Sequence, residues 1–238
     1  VLSFMKDTKL KTIVFIDGYN LYYGLLRRSA YKWLDLYNLF QNHVLQNAEV
    51  IDVRYYTAPV LARMSDDIES PKRQRTYLQA LRKQQPQKVT IIEGKMIAAT
   101  PFSRLVEALT DAPHINKVQV YSFEEKQSDV NMAVDMVISA LTGACEQIVL
   151  CSNDSDLKAA FMRIKQYAPH IKLGLVAPIK NEDSRAISKD LSQYANWSKA
   201  LSVVHLANAQ LPDKIHSTAI RKPDTRSEEH TSELQSQR

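Results

Sequence analysis

Residues 12–20 read TIVFIDGYN. A run of apolar and β-branched residues stops at Asp17, with Gly18 next and Asn20 three positions on. Such a run favours extended, buried backbone, so residues 13–16 are predicted to form a strand. In an open α/β sheet, ligands sit outside the carboxyl ends of the strands, which is where Asp17 falls. The pattern returns twice: residues 125–135 (EKQSDVNMAVD) and 148–156 (IVLCSNDSD) also place acids beside apolar runs.

Outward from that stretch the chain alternates strand-like and helix-like segments. Further strands are predicted at 50–58, 89–93, 147–151 and 172–177, with shorter ones at 118–123 and, at an edge, 202–205. Helical spacing follows Asn20 and covers 34–45. The next helix, 65–85, is started in earnest by Pro71, and others span 154–167 and 185–194. Residues 96–116, broken by Pro101 and Pro113, are expected to be a loop with some helix. A helix over 128–141 is expected to have Ser128 as its N-cap and Val130, Ala133, Val134, Val137 and Leu141 on one side. Strands alternating with helices give a single α/β domain whose central sheet is mostly parallel, with about five strands.

At 238 residues the chain can bury a sizeable core. Five glycines and the lack of a low-complexity tract argue against fibrous or linker-like architectures. No apolar run approaches the roughly 20 residues of a membrane span, and no signal-peptide pattern opens the chain, so a cytoplasmic location is expected and no membrane partner. Cys145 and Cys151 bracket a predicted strand, roughly 20 Å apart if extended, and read as two buried thiols suited to a reducing compartment. The net charge of +5 permits a polyanionic partner without requiring one. Residues 226–236 (RSEEHTSELQS) read as the in-frame translation of a common sequencing adapter, so 226–238 is set aside as an artefact expected to be disordered. The two arginines and three glutamates of 226–238 carry −1, so the chain without that tail is at +6. The remainder divides into an extension at 1–11, the domain at 12–212 and a tail at 213–225.

Asp17, Asp129, Asp154 and Asp156 would crowd carboxylates at one sheet edge, where mutual repulsion holds some of them protonated unless a cation intervenes. Oxygen ligands of this kind favour Mg²⁺ or Mn²⁺, and such an ion activates water and stabilises the leaving oxygen of a phosphodiester.

These residues resemble the NYN branch of the PIN-like ribonucleases, specifically the bacterial LabA/DUF88-like proteins. The resemblance runs from about residue 12 to 212 and rests on Asp17-Gly18-Tyr19-Asn20, Lys126-Gln127-Ser128-Asp129 and Ser152-Asn153-Asp154-Ser155-Asp156. It implies a Rossmann-like three-layer sandwich and metal-dependent hydrolysis of single-stranded RNA. It also implies a metal centre of Asp17, Asp129, Asp154 and Asp156, with Asn20 and Ser152 as orienting groups. Lys126, Ser152, Asn153 and Tyr19 are then the candidate substrate contacts. Homo-oligomers are compatible with it. Asp135 belongs to the same helical motif but lies about 120° round the helix from Asp129.

Plainer readings exist for each residue. Asp17 fits a strand-end turn, and Asp129, Asp154 and Asp156 fit helix caps or first-turn acids. Lys126 fits a solvated lysine, the basic stretch 72–83 a solvated face, and Tyr19, Tyr22 and Tyr23 either core packing or stacking on unpaired bases. At the level of function, the alternative is a catalytically silent RNA- or protein-binding regulator. A haloacid-dehalogenase-type phosphohydrolase would need an acid at position 19, which is a tyrosine.

Overall fold

A computed structural model describes residues 9–64, 67–107, 109–180 and 186–224. The adapter-like tail and the first residues of the helices expected at 65 and 185 lie outside them. β1 (Leu10–Asp17), β2 (Ala48–Thr57) and β3 (Val89–Glu93) run side by side in parallel. After β3 the chain leaves the sheet as an antiparallel ribbon. β4 (Lys95–Ala99) and β5 (Phe102–Arg104) go out, and β6 (Lys117–Gln119) and β7 (Ser122–Lys126) return beside them. β8 (Gln147–Cys151), β9 (Lys172–Ala177) and β10 (Trp197–Ala200) then extend the sheet from the other side of β1. The strand order is β10-β9-β8-β1-β2-β3, six strands and all parallel, one more than the sequence suggests. The order reverses between β1 and β8, and the crevice of an open sheet opens at such a switch point.

Alternate residues of β1 point into two separate cores. Val14 and Ile16 face one, with Leu21, Leu25, Leu36, Phe40 and Leu81; Ile13 and Phe15 face the other, with Met132, Met136, Phe161 and Ile164. The first core is covered by α1 (Gly18–Leu21) and its π-helical continuation Tyr22–Leu26, by α2 (Leu36–Asn38) with Leu39–Val44, and by α3 (Ser70–Gln84). The second is covered by α4 (Ser128–Leu141) and α5 (Lys158–Tyr167), with α6 (Lys189–Ser192) beside them. Helices on both faces of a parallel sheet make the three-layer sandwich. α7 (Val203–Asn208) and the residues after it pack on the first core through Leu206, Leu211 and Ile215.

Several local expectations give way. Residues 202–205 are not a strand: the Ser202 side chain caps α7 in a reciprocal capping box with His205, while Val203 and Val204 face outward. The strand at this edge comes earlier, at Trp197–Ala200. Residues 95–104 are extended ribbon, with no helix among the described residues there. On α4 the buried positions are Met132, Met136, Ser139 and Ala140, whereas Val130, Val134, Ile138 and Leu141 are exposed. Its N-cap is Gln127, left-handed at φ 79°; Ser128 is already helical, and its hydroxyl donates to Glu125.

Candidate active site at the carboxyl edge of the sheet

Ile16 is in register with Cys151, so Asp17 and Ser152 leave neighbouring strands side by side at the switch point. Asp17 is 7% exposed. One of its carboxylate oxygens accepts the Asn20 N–H at 2.8 Å, capping α1, and the other accepts the Ser152 hydroxyl at 2.9 Å. Gly18 is required here because a Cβ would meet the Tyr56 carbonyl oxygen at 2.6 Å, so the chain can turn this tightly against β2 only without a side chain. Ser152 accepts the Asp154 N–H at 3.0 Å while donating to Asp17, which ties the loop after β8 to the end of β1. The Asn20 side-chain oxygen accepts the Asn153 N–H at 2.9 Å and ties them a second time.

Charge at this edge is uncompensated. Burial, the largest cause, pushes the Asp17 carboxyl from 3.8 up to about 6; its two hydrogen bonds oppose the rise, and Asp129 and Glu125 add to it. Glu125 is raised by burial and by Asp129, against the pull of its bond from Ser128. Asp129 is raised by burial, then by Asp154 and Asp156. The acids therefore feel one another across three elements: β1, the β7–α4 junction and the loop after β8.

Asp17, Asp129, Asp154 and Asp156 thus share one edge, with Asn20 and Ser152 holding Asp17. Asp154 also serves as a cap, accepting the Asp156 N–H at 3.0 Å. Lys126 ion-pairs with Glu124 on the ribbon, and the Asn153 side chain is engaged with the Ser188 N–H and the Ala186 carbonyl. Tyr19 is half-buried beside Glu125, and its hydroxyl is raised by burial and by Tyr23 and Glu125. Asp135 is not at this edge; it accepts the Tyr56 hydroxyl at 2.7 Å, between β2 and α4. Glu125 is the acid that the sequence reading passes over. Its signal lay within the quoted segment, three residues before the serine to which it is bonded.

The donor chemistry fits a hard divalent cation, being all carboxylate and bearing charge that burial makes costly. Among the described residues, no three His, Cys, Asp or Glu side chains stand close enough together to hold an ion as they are. Asp129 and Asp156 are exposed, whereas Asp17 is buried.

Residues 11–196 match the NYN domain family. The chain belongs to that family. NYN domains are a branch of the PIN-like nucleases, and the six-stranded parallel sheet with helices on both faces is consistent with the PIN-like three-layer fold. The NYN chain is 33% identical over 241 residues to the 6-hydroxy-3-succinoylpyridine 3-monooxygenase HspA of Pseudomonas putida, an alignment covering 92% of this chain and 75% of that protein. It also resembles the crystal structure of a protein of unknown function from Vibrio parahaemolyticus, with a TM-score of 0.51 and 22% identity over 87% of this chain and 99% of the other. That likeness bears on the fold alone. Among the described residues, no helix is long and apolar enough to cross a membrane.

Proposed function

We propose that this NYN domain is a metal-dependent endoribonuclease that hydrolyses phosphodiester bonds of single-stranded RNA. The observation that supports the reading is that Asp17, Glu125, Asp129, Asp154 and Asp156 lie near enough along one sheet edge for Asp17 to be raised by Asp129 and Glu125, and Asp129 by Asp154 and Asp156, with burial driving Asp17 up to about 6. Asp17, Asp129, Asp154 and Asp156 would hold Mg²⁺ or Mn²⁺. A bound ion of this kind supplies the positive charge that lowers the pKa of water and offsets charge on the leaving oxygen. Asn20 and Ser152 each fix one oxygen of Asp17, so the carboxylate cannot rotate away from the crevice. Ser152 and Asn20 together hold the Asp154 loop against β1, which sets the spacing between the two most buried parts of the centre.

The test is cleavage of an end-labelled single-stranded RNA by the full chain with Mn²⁺, with Mg²⁺ and with EDTA, beside Asp154→Asn. Cleavage that needs the ion and disappears in the variant supports the proposal; cleavage that survives both EDTA and the substitution overturns the site. RNA binding without cleavage in any metal would instead support a silent regulatory module.

A second reading is favoured by the 33% identity to a protein named as a pyridine monooxygenase. Oxygen insertion would require O₂ and a two-electron donor, so oxygen uptake with a hydroxypyridine and a reduced nicotinamide separates the two. Uptake that depends on the pyridine, in a protein that leaves RNA intact, would favour this second reading.

A further inference from the structure

A cavity of about 270 Å³ opens beside the acids, lined by Asn20, Tyr23, Gly24, Asn153, Pro178 and Ile179. Two of its walls belong to the machinery already described: Asn20 donates its backbone N–H to Asp17, and Asn153 immediately precedes Asp154. The volume falls just below the roughly 300–1,000 Å³ of pockets that enclose a drug-sized ligand, so it suits one ring system against a partly open wall. Among the described residues, its lining contains no charged side chain. Gly24 makes the cavity possible in this form: a Cβ there would lie 2.0 Å from the Pro178 carbonyl oxygen, so the helix presses directly on the loop after β9.

Tyr23 also belongs to a ladder that leads away from the acids. Tyr19, beside Glu125, lies 5.2 Å from Tyr23 between ring centroids, and the Arg27 guanidinium sits 5.4 Å above the Tyr23 ring. Tyr22 meets Tyr23 edge-on at 5.3 Å. Positions 19, 23 and 27 fall on one helix face at intervals of four. Tyr23 is half-exposed, which is a poor use of an aromatic ring in packing alone. Arg27 is exposed, and no ion pair to a carboxylate is found for it among the described residues.

We infer that the cavity is a nucleobase subsite: it receives the base of the nucleotide whose phosphate lies at the acids, against Tyr23, while Arg27 takes the next phosphate along the strand. This rests on the nuclease reading for the position of the reacting phosphate. The chemistry is that of a single-strand track, in which an aromatic wall accepts any base and a cation follows the backbone. Pro178 and Ile179 supply the apolar side opposite Tyr23, and the Asn20 and Asn153 amides edge the cavity toward the acids. With Tyr23 as its aromatic wall, the subsite discriminates a base from no base.

The experiment is binding of a fluorescent uridine decamer, and of the same decamer with abasic sugars on an intact backbone, by wild type, Tyr23→Ala, Tyr23→Phe and Arg27→Gln, with EDTA present. Stacking on an aromatic side chain changes affinity at least about fivefold. Wild type and Tyr23→Phe are expected to prefer the uridine strand by that factor, and Tyr23→Ala to lose the preference. Arg27→Gln is expected to weaken both strands alike and to reduce the slope of log affinity against log salt by about 0.7. Equal binding of the two strands by wild type, or an undiminished preference in Tyr23→Ala, overturns the subsite. Cleavage measured separately keeps the two readings apart. A base preference in a protein that never cleaves sinks the nuclease and leaves the subsite. Metal-dependent cleavage without a base preference does the reverse.

Discussion

Replacing Asp17 with asparagine removes a carboxylate that the fold buries at a cost. Its carboxyl stands at about 6 instead of 3.8. Between those pH values the folded chain keeps a proton that the unfolded chain releases, so wild-type stability falls as pH rises from about 4 to about 6 and is flat on either side. The size of the fall is about 3 kcal/mol, since each pH unit of displacement is worth about 1.4 kcal/mol. Asparagine has no such titration. The stability of Asp17→Asn relative to wild type should therefore improve by about 3 kcal/mol between pH 4 and pH 8, however well the amide replaces the bonds to Asn20 and Ser152. For a chain of this size that is about 6–12 °C in Tm. Urea denaturation of metal-free protein at pH 4, 5, 6, 7 and 8 measures it. Excess Mn²⁺ at pH 8 should stabilise wild type, by about 2.7 kcal/mol at a hundredfold over Kd, and leave the variant unmoved. A difference between the proteins that does not change with pH would refute the reasoning. It would make Asp17 a cap and nothing more.

Ser152→Ala removes the hydroxyl that donates to Asp17, so the Asp17 carboxyl should move above about 6 and the upper edge of the pH window of lost stability should rise in the same titration, its lower edge staying near about 4. Tyr56→Phe should cost about 1–3 kcal/mol in denaturation, because Asp135 loses its donor, and should leave RNA cleavage unchanged. Cys145 and Cys151 are buried thiols, the first pushed up to about 11 and the second further, chiefly by burial. Neither should react with a chromogenic disulfide at pH 8 until the protein is unfolded, when both should.

The sheet was legible where the strands are buried on both faces. β1, β8 and β9 are near-continuous apolar runs, and a short run of that kind between turn residues fits little besides a buried parallel strand. The ribbon was legible only as the short strand expected at 118–123, which falls on β6 and β7, because its strands are largely exposed and paired only with each other, which leaves no single apolar face to detect. Trp197–Ala200 failed for the opposite reason. It is four residues at the sheet edge, with Lys199 among them, whereas the more β-like Val203-Val204 pair sits exposed on a capped helix. On α4 the expected stripe divides: Val130, Val134 and Leu141 are exposed, while Ala133 and Val137 pack partly buried against the second core. The core itself takes Met132, Met136 and Ala140, and the small polar Ser139, whose hydroxyl is satisfied by the Asp135 carbonyl. At the site, order and spacing along the chain were enough to bring four aspartates to one edge. What they could not convey is which side chains are already spent: Lys126 on Glu124, and the Asn153 amide on residues 186 and 188. The Asn153 bonds arise only once separate segments meet, and the Lys126 pair forms because both side chains stand on one face of the exposed strand β7.

The ribbon divides the acidic centre into parts with different tolerance to insertion. The described residues of its tip, 105–107 and 109–116, belong to neither core, so lengthening or trimming it there should leave the aim of the carboxylates unchanged. At its root the arithmetic is unforgiving. Glu125 closes on Ser128, Gln127 turns the chain with a positive φ, and Asp129 follows in the first turn of α4. One residue added after Gln127 would leave Asp129 where Met132 and Met136 hold α4, but it would break the turn that returns Glu125 to Ser128 and so move Glu125 away from Asp129. Length variation can therefore collect in the tip, and the short passage from Glu125 to Asp129 has to keep its count.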